Sequence, residues 1–401
     1  MYPDLSYLFH DLIGTAYDNG FSVFKTFGFF LAIAFLTSAL VYYAELKRKA
    51  AEGIFSPIPE KIVEGRPASI GEILSNALVG LIMGGKGWLA ATNFEQFRPD
   101  PAAIILSKQM HWPAAILGAV ALGGLTWWEA RKRQKDVPTE RWVQVWPHDR
   151  ISEMTVWAAV GGIVGAKVFD LFDNWQSFLA DPIGSLASGG GLAFFGGLIL
   201  GFVAVVWFQW TKKIPFLHAA DAVAPALTAG YGVGRIGCQL SGDGDWGIAN
   251  LAPKPGWMSW LPDWMWAYKY PHTVLAELER PGQTYTMIDE MKAVRIEGFS
   301  GRYAFELEQA VYPTPFYETL MMLVIFGILW SLRKRLKTPG MIWFIYLILI
   351  GIERFVIEKI RVNVRHDVFG IVLTQAEIIA IGLVLVGAVG LAWVSKKHKK
   401  T

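Results

Sequence analysis

Two arginines stand within apolar stretches, where a charge costs about 2.5–3.5 kcal/mol on insertion scales and usually marks function or pairing. Arg235 follows a glycine-rich run at 230–234, and Arg354 is four residues before Glu358, which is three before Arg361. Residues at these spacings share a helical face and can form ion pairs. Guanidinium groups also stay ionised and bind phosphate through paired hydrogen bonds. The residues therefore indicate either a phosphate site or ion pairs between helices.

The segment around Arg235 has the composition of an anion site. Four glycines within residues 230–237 would let a backbone or headgroup come close to the guanidinium. The polar run at 241–247 could offer backbone N–H groups to the same anion. Equally, Arg235 could extend its side chain to the interface above a flexible turn. These residues alone leave both interpretations open.

The overall composition is that of a membrane protein. Of the 401 residues, 53% are hydrophobic and 18% are charged, whereas a soluble domain needs roughly 25% charged residues. Many of the 18 tryptophans lie near the ends of apolar runs, as expected at the lipid headgroup level. The net charge of +3 gives no indication of a nucleic-acid partner, and the single cysteine, Cys238, excludes an internal disulfide framework.

Nine apolar runs approach the length of about 20 residues that spans a bilayer. They lie at 27–45, 70–91, 113–130, 153–172, 190–210, 219–239, 316–332, 339–357 and 371–394. Lysine and arginine concentrate in alternate loops and in the C-terminal tail, with a mild exception at 358–370. By the positive-inside rule, the sequence predicts an all-α polytopic membrane protein with about nine transmembrane helices, N-terminus out and C-terminus in. The long polar segment after the sixth run predicts a small outer-face insert.

An internal repeat links two of these runs. Residues 77–93 resemble residues 158–174 at a constant offset. The matching residues in the first copy are Gly80, Gly84, Lys86 and Asn93, and in the second Gly161, Gly165, Lys167 and Asn174. Duplication of a helix pair is the favoured explanation, and close helix packing through Gly-x-x-x-Gly spacing is the alternative.

Five motifs occur in order along the chain. They are Gly165-Ala166-Lys167, residues 189–199 (GGGLAFFGGLI), residues 234–247 (GRIG through WG), residues 312–318 (YPTPFYE) and residues 354–361. They resemble the GARLG, GGMxFHGGLIG, GRxGNFxNxExxG, HPSQLYE and FRxxxEFxR motifs of the prolipoprotein diacylglyceryl transferase family. The resemblance covers the first helix and nearly everything from about residue 153 onward.

The chain also departs from the family pattern. The histidine before GGLIG is Phe195, the asparagine after GRxG is Cys238, and the second asparagine is Ser241. Asp243 takes the acidic position, with one residue inserted before Trp246. The tyrosine of the first helix corresponds to Phe27, and residues 46–150 form an extra helix pair outside the usual seven-helix pattern.

These boundaries predict five parts of the chain. They are residues 1–45, the first helix; 46–150, the extra helix pair with basic inner loops; 151–240, the core helices with the signature motif; 241–315, the outer-face insert; and 316–401, the C-terminal three-helix part of the core.

The resemblance implies transfer of the diacylglyceryl group of phosphatidylglycerol to the lipobox cysteine thiol of preprolipoproteins, with release of glycerol phosphate. The implied partners are phosphatidylglycerol, preprolipoprotein signal peptides and the bacterial inner membrane, in which the chain would be a multi-pass protein. No cofactor and no metal are expected.

Site residues are expected from the same resemblance. The expected catalytic residues are Arg235, Arg354 and Asp243, and the expected substrate-binding residues are Gly234, Gly237, Gly247, Tyr317, Glu318 and Lys167. The proton acceptor is left open. Positive charge from the arginines could ionise the thiol directly, or Asp243 or Glu318 could take its proton.

Other interpretations compete with the enzyme. A catalytically silent relative that binds lipid or lipoprotein would explain the loss of the histidine and the asparagine, and a transporter would explain the repeat. A transporter usually has a pair of broken helices at matching positions, so it ranks last. Asp221, near the inner end of the sixth run, is expected to cap the N-terminus of that helix rather than to act in catalysis.

Overall fold

The computed structural model describes residues 1–98, 101–105, 107–135, 138–182, 185, 193–242, 244–274, 278, 291–299, 301, 303–363, 365–368 and 371–398. Two compact units are present. The first unit comprises Met1–Lys49 and Pro215–Thr401, and the second comprises Ala50–Ile214.

The described chain is mostly helical. Its α-helices are α1 (Leu5–Ile13), α2 (Thr26–Ala51), α3 (Ile70–Thr92), α4 (Phe94–Phe97), α5 (Pro101–Ile105), α6 (Trp112–Arg133), α7 (Ile151–Asp173), α8 (Trp175–Ala180), α9 (Phe194–Thr211), α10 (Phe216–Ser241), α11 (Thr314–Leu332), α12 (Met341–Ile357) and α13 (Gln375–His398). Short 3-10 turns lie at Gly20–Val23, Pro147–Arg150, Gly256–Met258, Asp263–Met265 and Glu358–Ile360.

The strands form small antiparallel pairs. These are β1 (Ile58–Glu64) with β2 (Thr139–Val145), β3 (Ala293–Arg295) with β4 (Phe305–Leu307), and β5 (Arg365–Val368) with β6 (Ile371–Thr374). Ile58 is opposite Val145, Ala293 opposite Leu307, and Arg365 opposite Thr374.

Within the described residues, five helices are long and apolar enough to cross a membrane. They lie at Thr26–Ala51, Ile70–Thr92, Pro147–Phe172, Thr314–Leu332 and Gln375–Lys397, and a shorter apolar helix lies at Gly196–Thr211. The prediction of an α-helical, multi-pass membrane protein is therefore confirmed. The runs predicted at 113–130, 219–239 and 339–357 are helical as well (α6, α10 and α12), but they are outside this group of five.

Glycines bring the helices of the second unit into close pairs. A methyl group on Gly80 of α3 would collide with the carbonyl group of Gly118 on α6, and one on Gly165 of α7 would collide with that of Gly196 on α9. Small residues at such positions let helix backbones approach closely. Each copy of the sequence repeat thus supplies the first helix of a tightly packed pair.

The two copies also end in the same way. Asn93 follows α3 with φ −114° and ψ 42°, and Asn174 follows α7 with φ −111° and ψ 39°. Each backbone N–H donates to the carbonyl oxygen four residues earlier, at 2.9 Å in both copies. Each side-chain amide donates to the same oxygen, at 3.0 and 3.2 Å. This shared geometry supports duplication of a helix pair.

In the first unit, α10 packs against α11 and α12, and α12 packs against α13. Ala224, Met322, Ile325, Leu329 and Ile342 form a buried apolar cluster among these helices.

Glycines of α10 also make room for the close approach of α2. A Cβ on Gly230 would collide with the Ser38 side chain, and one on Gly237 would lie 2.7 Å from the Cβ of Phe30. Glycines on both sides of Arg235 therefore serve helix packing.

Asp221 caps a helix, but not the expected one. This residue is buried within α10, and its carboxylate accepts hydrogen bonds from the backbone N–H groups of Gly340 (2.8 Å) and Trp343 (3.0 Å). Both N–H groups belong to the start of α12, where backbone donors lack partners within the helix. The prediction that Asp221 caps its own helix was wrong, because α10 begins five residues earlier, at Phe216.

The segment between α10 and α11 has an apolar core of its own. Its described members are Trp246, Tyr270, Val274, Met291, Leu307 and Val311, joined by Val362. Trp246 is 1% exposed, so the residue just before it, Asp245, is held at a defined position. This packing fixes the segment over the ends of α10, α11 and α12.

Candidate functional site

The buried carboxylate of Glu318 lies close to guanidinium groups from three segments of the first unit. Glu318 on α11 is 0% exposed and accepts a hydrogen bond from the Tyr231 hydroxyl at 3.0 Å. Its Oε2 lies 3.0 Å from Nε of Arg235, and its Oε1 lies 3.5 Å from Nη1 of both Arg354 and Arg361. The two arginines singled out from the sequence therefore meet at one side chain.

Helix ends place these groups together. Arg235 and Arg354 lie near the C-terminal ends of α10 and α12, whereas Glu318 lies one turn into α11, whose first turn contains Pro315. Cations are favoured at helix C-termini and anions near N-termini, and proline is well suited to a first helical turn. The three helix ends meet at the same end of the bundle.

A second carboxylate, Asp245, bridges two of the guanidinium groups. It forms an ion pair with Nη1 of Arg235, and its Oδ1 lies 2.6 Å from Nη2 of Arg361. Burial alone would raise the pKa of Asp245, but the charges of Arg361 and Arg235 outweigh it and hold the pKa well below its usual value. The Asp245 side chain is 30% exposed, so this carboxylate is less buried than Glu318.

The chain turn after α10 brings Asp245 into place. Gly242 ends the helix with φ 66°, a left-handed conformation that favours glycine. The hydroxyl of Thr314, the first residue of α11, donates to the backbone carbonyl of Asp245 at 2.6 Å. The loop is thus attached directly to the helix that carries Glu318.

Arg354 has a further partner on its own chain segment. Its Nη2 lies 2.8 Å from Glu358 Oε2, so the predicted i, i+4 pair is confirmed. Glu358 also accepts a hydrogen bond from the Asn363 side chain at 2.6 Å. Because α12 ends at Ile357 and Arg361 is extended, Arg361 does not continue that helical face and turns toward Glu318 and Asp245.

The cluster is close to electrical balance. The guanidinium groups of Arg235, Arg354 and Arg361 face the carboxylates of Glu318, Asp245 and Glu358. Arginines held by carboxylates keep a fixed orientation, so their remaining N–H groups form a preorganised donor set. Such a set suits a phosphate group and the additional charge that develops when a phosphate leaves.

The family model described as prolipoprotein diacylglyceryl transferase matches residues 101–393. The chain belongs to this family. Proteins named phosphatidylglycerol–prolipoprotein diacylglyceryl transferase are similar to it. The one from Xylella fastidiosa is 28% identical over 307 residues, covering 74% of this chain and 92% of the relative. The one from Azotobacter vinelandii is 26% identical over 308 residues, covering 75% of this chain and 96% of the relative.

The match of the family model begins inside the segment predicted to be an extra helix pair. Residues 101–150, which include α6, are within the matched range, whereas α2 and α3 precede it. Arg235, Glu318, Arg354 and every partner of Glu318 also lie within the range.

The other residues considered for the site do not all belong to the same part of the structure. The Tyr317 hydroxyl donates to the backbone carbonyl oxygen of Met265 (2.9 Å), so it holds the segment between α10 and α11 onto α11. Lys167 belongs to the second unit, where its Nζ lies 3.5 Å from Asp170. Asp243 is outside the described residues. Phe195 is the second residue of α9, also in the second unit.

The three glycines expected to bind substrate make different contacts. A Cβ on Gly247 would clash with the Ile360 carbonyl oxygen and with Thr314, so this glycine lets two segments pass closely. Gly237 packs tightly against Phe30, whereas a Cβ on Gly234 would meet only the Cβ of Ala34, at 3.9 Å. A role in substrate binding stays a prediction for all three.

Sequence reasoning missed two members of the cluster, Asp245 and Tyr231. Asp245 is part of the same acidic run as Asp243, but the inserted residue made the choice between them ambiguous. The signal for Tyr231 was its position one helical turn before Arg235. At that spacing the two side chains are neighbours, and the centre of the Tyr231 ring lies 5.0 Å from the guanidinium carbon of Arg235.

Alanine substitutions at Gly237 and Gly234 test how closely α10 packs against α2. Gly237→Ala is expected to lower stability by about 1–3 kcal/mol, because its methyl group overpacks against Phe30. Gly234→Ala has room and is expected to leave stability unchanged or slightly higher. Thermal unfolding in detergent tests both variants. Equal losses of stability would contradict the packing described for α2 and α10.

Proposed function

We propose that this chain transfers the diacylglyceryl group of phosphatidylglycerol to the lipobox cysteine thiol of preprolipoproteins and releases glycerol phosphate. The observation that carries the proposal is the convergence of Arg235 and Arg354 on Glu318. Membership of the family and the names of the similar proteins agree with it.

The reaction is a displacement at carbon. The thiol sulfur bonds to the terminal CH₂ carbon of the diacylglyceryl group, and the bond from that carbon to the phosphate oxygen breaks. The departing glycerol phosphate gains negative charge as this bond breaks. Guanidinium groups aimed at the phosphate stabilise that charge, and they are especially effective where water is excluded.

We assign Arg235 and Arg354 to the lipid phosphate. Glu318 sits between them and fixes their orientation, so the phosphate would bind to N–H groups that the carboxylate leaves available. The same positive charge would favour ionisation of an approaching thiol. Gly234, Gly237, Gly247, Tyr317 and Lys167 are retained as substrate-binding candidates, and Asp243 as a catalytic one.

The proposal includes a membrane arrangement. Nine spanning helices, with the N-terminus outside and the C-terminus inside a bacterial inner membrane, would put the Arg235 cluster at the outer leaflet. The distribution of lysine and arginine among the loops supports this orientation. A signal peptide would then reach the cluster from within the bilayer. The five-part division of the chain belongs to the same proposal.

Complementation tests the proposed function. A bacterial strain depleted of its own transferase should grow when it expresses this chain, and its prolipoproteins should carry diacylglyceryl groups. The matched control is Arg354→Gln, which is expected to insert in the membrane without restoring growth. If the unmodified chain is well expressed and growth fails, the catalytically silent lipid-binding relative replaces the transferase.

A further inference from the structure

A further acidic side chain lies beside the cluster without belonging to its ion pairs. Glu353 on α12 is 4% exposed, and among the described residues neither of its carboxylate oxygens has a hydrogen-bond partner. A buried, ionised carboxylate without hydrogen bonds is strongly unfavourable. Glu353 is therefore accommodated either with a proton bound or with a hydrogen-bonding ligand beside it.

The surroundings of Glu353 connect it to the cluster. Charged and polar side chains from several segments interact electrostatically with Glu353. They are Glu318 of α11, Arg235 and Tyr231 of α10, Arg354 and Tyr346 of α12, and Arg361. Glu318 and the low-dielectric interior oppose a charge on Glu353, and the guanidinium groups favour one. These opposed effects suit a group that gains and loses a proton.

The other carboxylates of the cluster are less suited to that task. Glu318, Asp245 and Glu358 each lie within ion-pair distance of at least one guanidinium group. A carboxylate in an ion pair is a weak base, because protonation would leave the arginine without its counter-charge. Glu353 has no such ion pair among the described residues.

We propose that Glu353 exchanges the proton of the substrate thiol, a role that rests on the proposed transfer reaction. With the substrate thiol as its hydrogen-bonding ligand, the ionised Glu353 carboxylate takes the thiol proton as the sulfur–carbon bond forms and the carbon–oxygen bond to phosphate breaks. The carboxylic acid then gives this proton to an oxygen of the departing glycerol phosphate. The thiol proton thus ends on the phosphate, and no other reactant is needed.

Glu353→Gln tests this role, since the amide has nearly the same size and cannot exchange the proton. The rate of diacylglyceryl transfer to a lipobox peptide is expected to fall by about 10²–10⁴-fold near pH 7. The difference from the unmodified enzyme should shrink as the pH rises beyond about 8.5, where most of the thiol is ionised without the help of a base. A merely structural role would lower the rate equally at all pH values.

A peptide with selenocysteine at the lipobox position provides a second readout. A selenol is already ionised at neutral pH, so it has little need of a proton acceptor. Glu353→Gln is expected to process this peptide at a rate close to that of the unmodified enzyme. An equally large defect with both peptides would overturn the role of Glu353.

Two controls keep the inference distinct from the proposed function. Glu129→Gln changes an exposed carboxylate at the end of α6 and should leave the rate unchanged. If the unmodified enzyme transfers the group and Glu353→Gln has the same rate and pH profile, the role of Glu353 is wrong while the function stands. If the unmodified enzyme has no activity, the proposed function fails, and this role fails with it.

Discussion

Arg235→Ala is expected to reduce diacylglyceryl transfer by about 10³-fold or more while the protein still inserts in the membrane. The Arg235 guanidinium contacts both carboxylates at the centre of the cluster, Glu318 and Asp245. Its removal takes away the charge proposed to stabilise the departing phosphate and leaves Glu318 and Asp245 with fewer partners. Transfer to a lipobox peptide by the purified protein measures the effect.

Two further arginine variants complete that experiment. Arg235→Lys keeps the charge but loses the paired donors of the guanidinium group, so partial activity is expected. Arg295→Ala removes an exposed arginine of β3 and should keep the full rate. A full rate for Arg235→Ala would show that this side chain has no role in the reaction.

Glu318→Gln is expected to lower the free energy of unfolding by about 3–5 kcal/mol. The carboxylate is fully buried among Arg235, Arg354 and Arg361, and the neutral amide would leave their charges without full compensation. Transfer should fall as well, because the two phosphate-binding arginines would lose their shared anchor. Equilibrium unfolding in detergent micelles measures the stability.

An exposed ion pair supplies the matched control for Glu318. Glu140 pairs with Lys61 at 2.6 Å, but their side chains are 58% and 44% exposed. Exposed pairs of this kind contribute less than about 1 kcal/mol, so Glu140→Gln should unfold almost as the unmodified protein does. If Glu318→Gln is as mild as Glu140→Gln, the ion cluster does not hold these three helix ends together.

The sequence predicted the helical, membrane-spanning character and the pair of arginines because both follow from local rules. Long apolar runs become helices in a membrane, and a charge within such a run needs a partner or a function. Arg235 and Arg354 stand out for this reason, although 119 residues separate them along the chain (354 − 235). Their partner Glu318 was also singled out, through the family motif that contains it.

The contacts that the sequence could not predict depend on tertiary structure. Asp245 lies between Arg235 and Arg361, and a single inserted residue decides which acidic residue of this run is aligned with the family. Asp221 caps α12 instead of its own helix, since the partner N–H groups are 119 and 122 residues away. Pairings over such separations leave no periodic signal in one sequence.

Coupling between Arg235 and Arg354 in phospholipid binding tests the central claim most directly. Binding of short-chain phosphatidylglycerol, with diacylglycerol as the ligand without phosphate, would be measured for Arg235→Gln, Arg354→Gln and the double variant. If both guanidinium groups hold one phosphate, the losses in phosphatidylglycerol binding should be non-additive by at least about 0.5 kcal/mol, and diacylglycerol binding should not change. Additive losses, or phosphatidylglycerol binding that neither substitution weakens, would contradict a shared phosphate site.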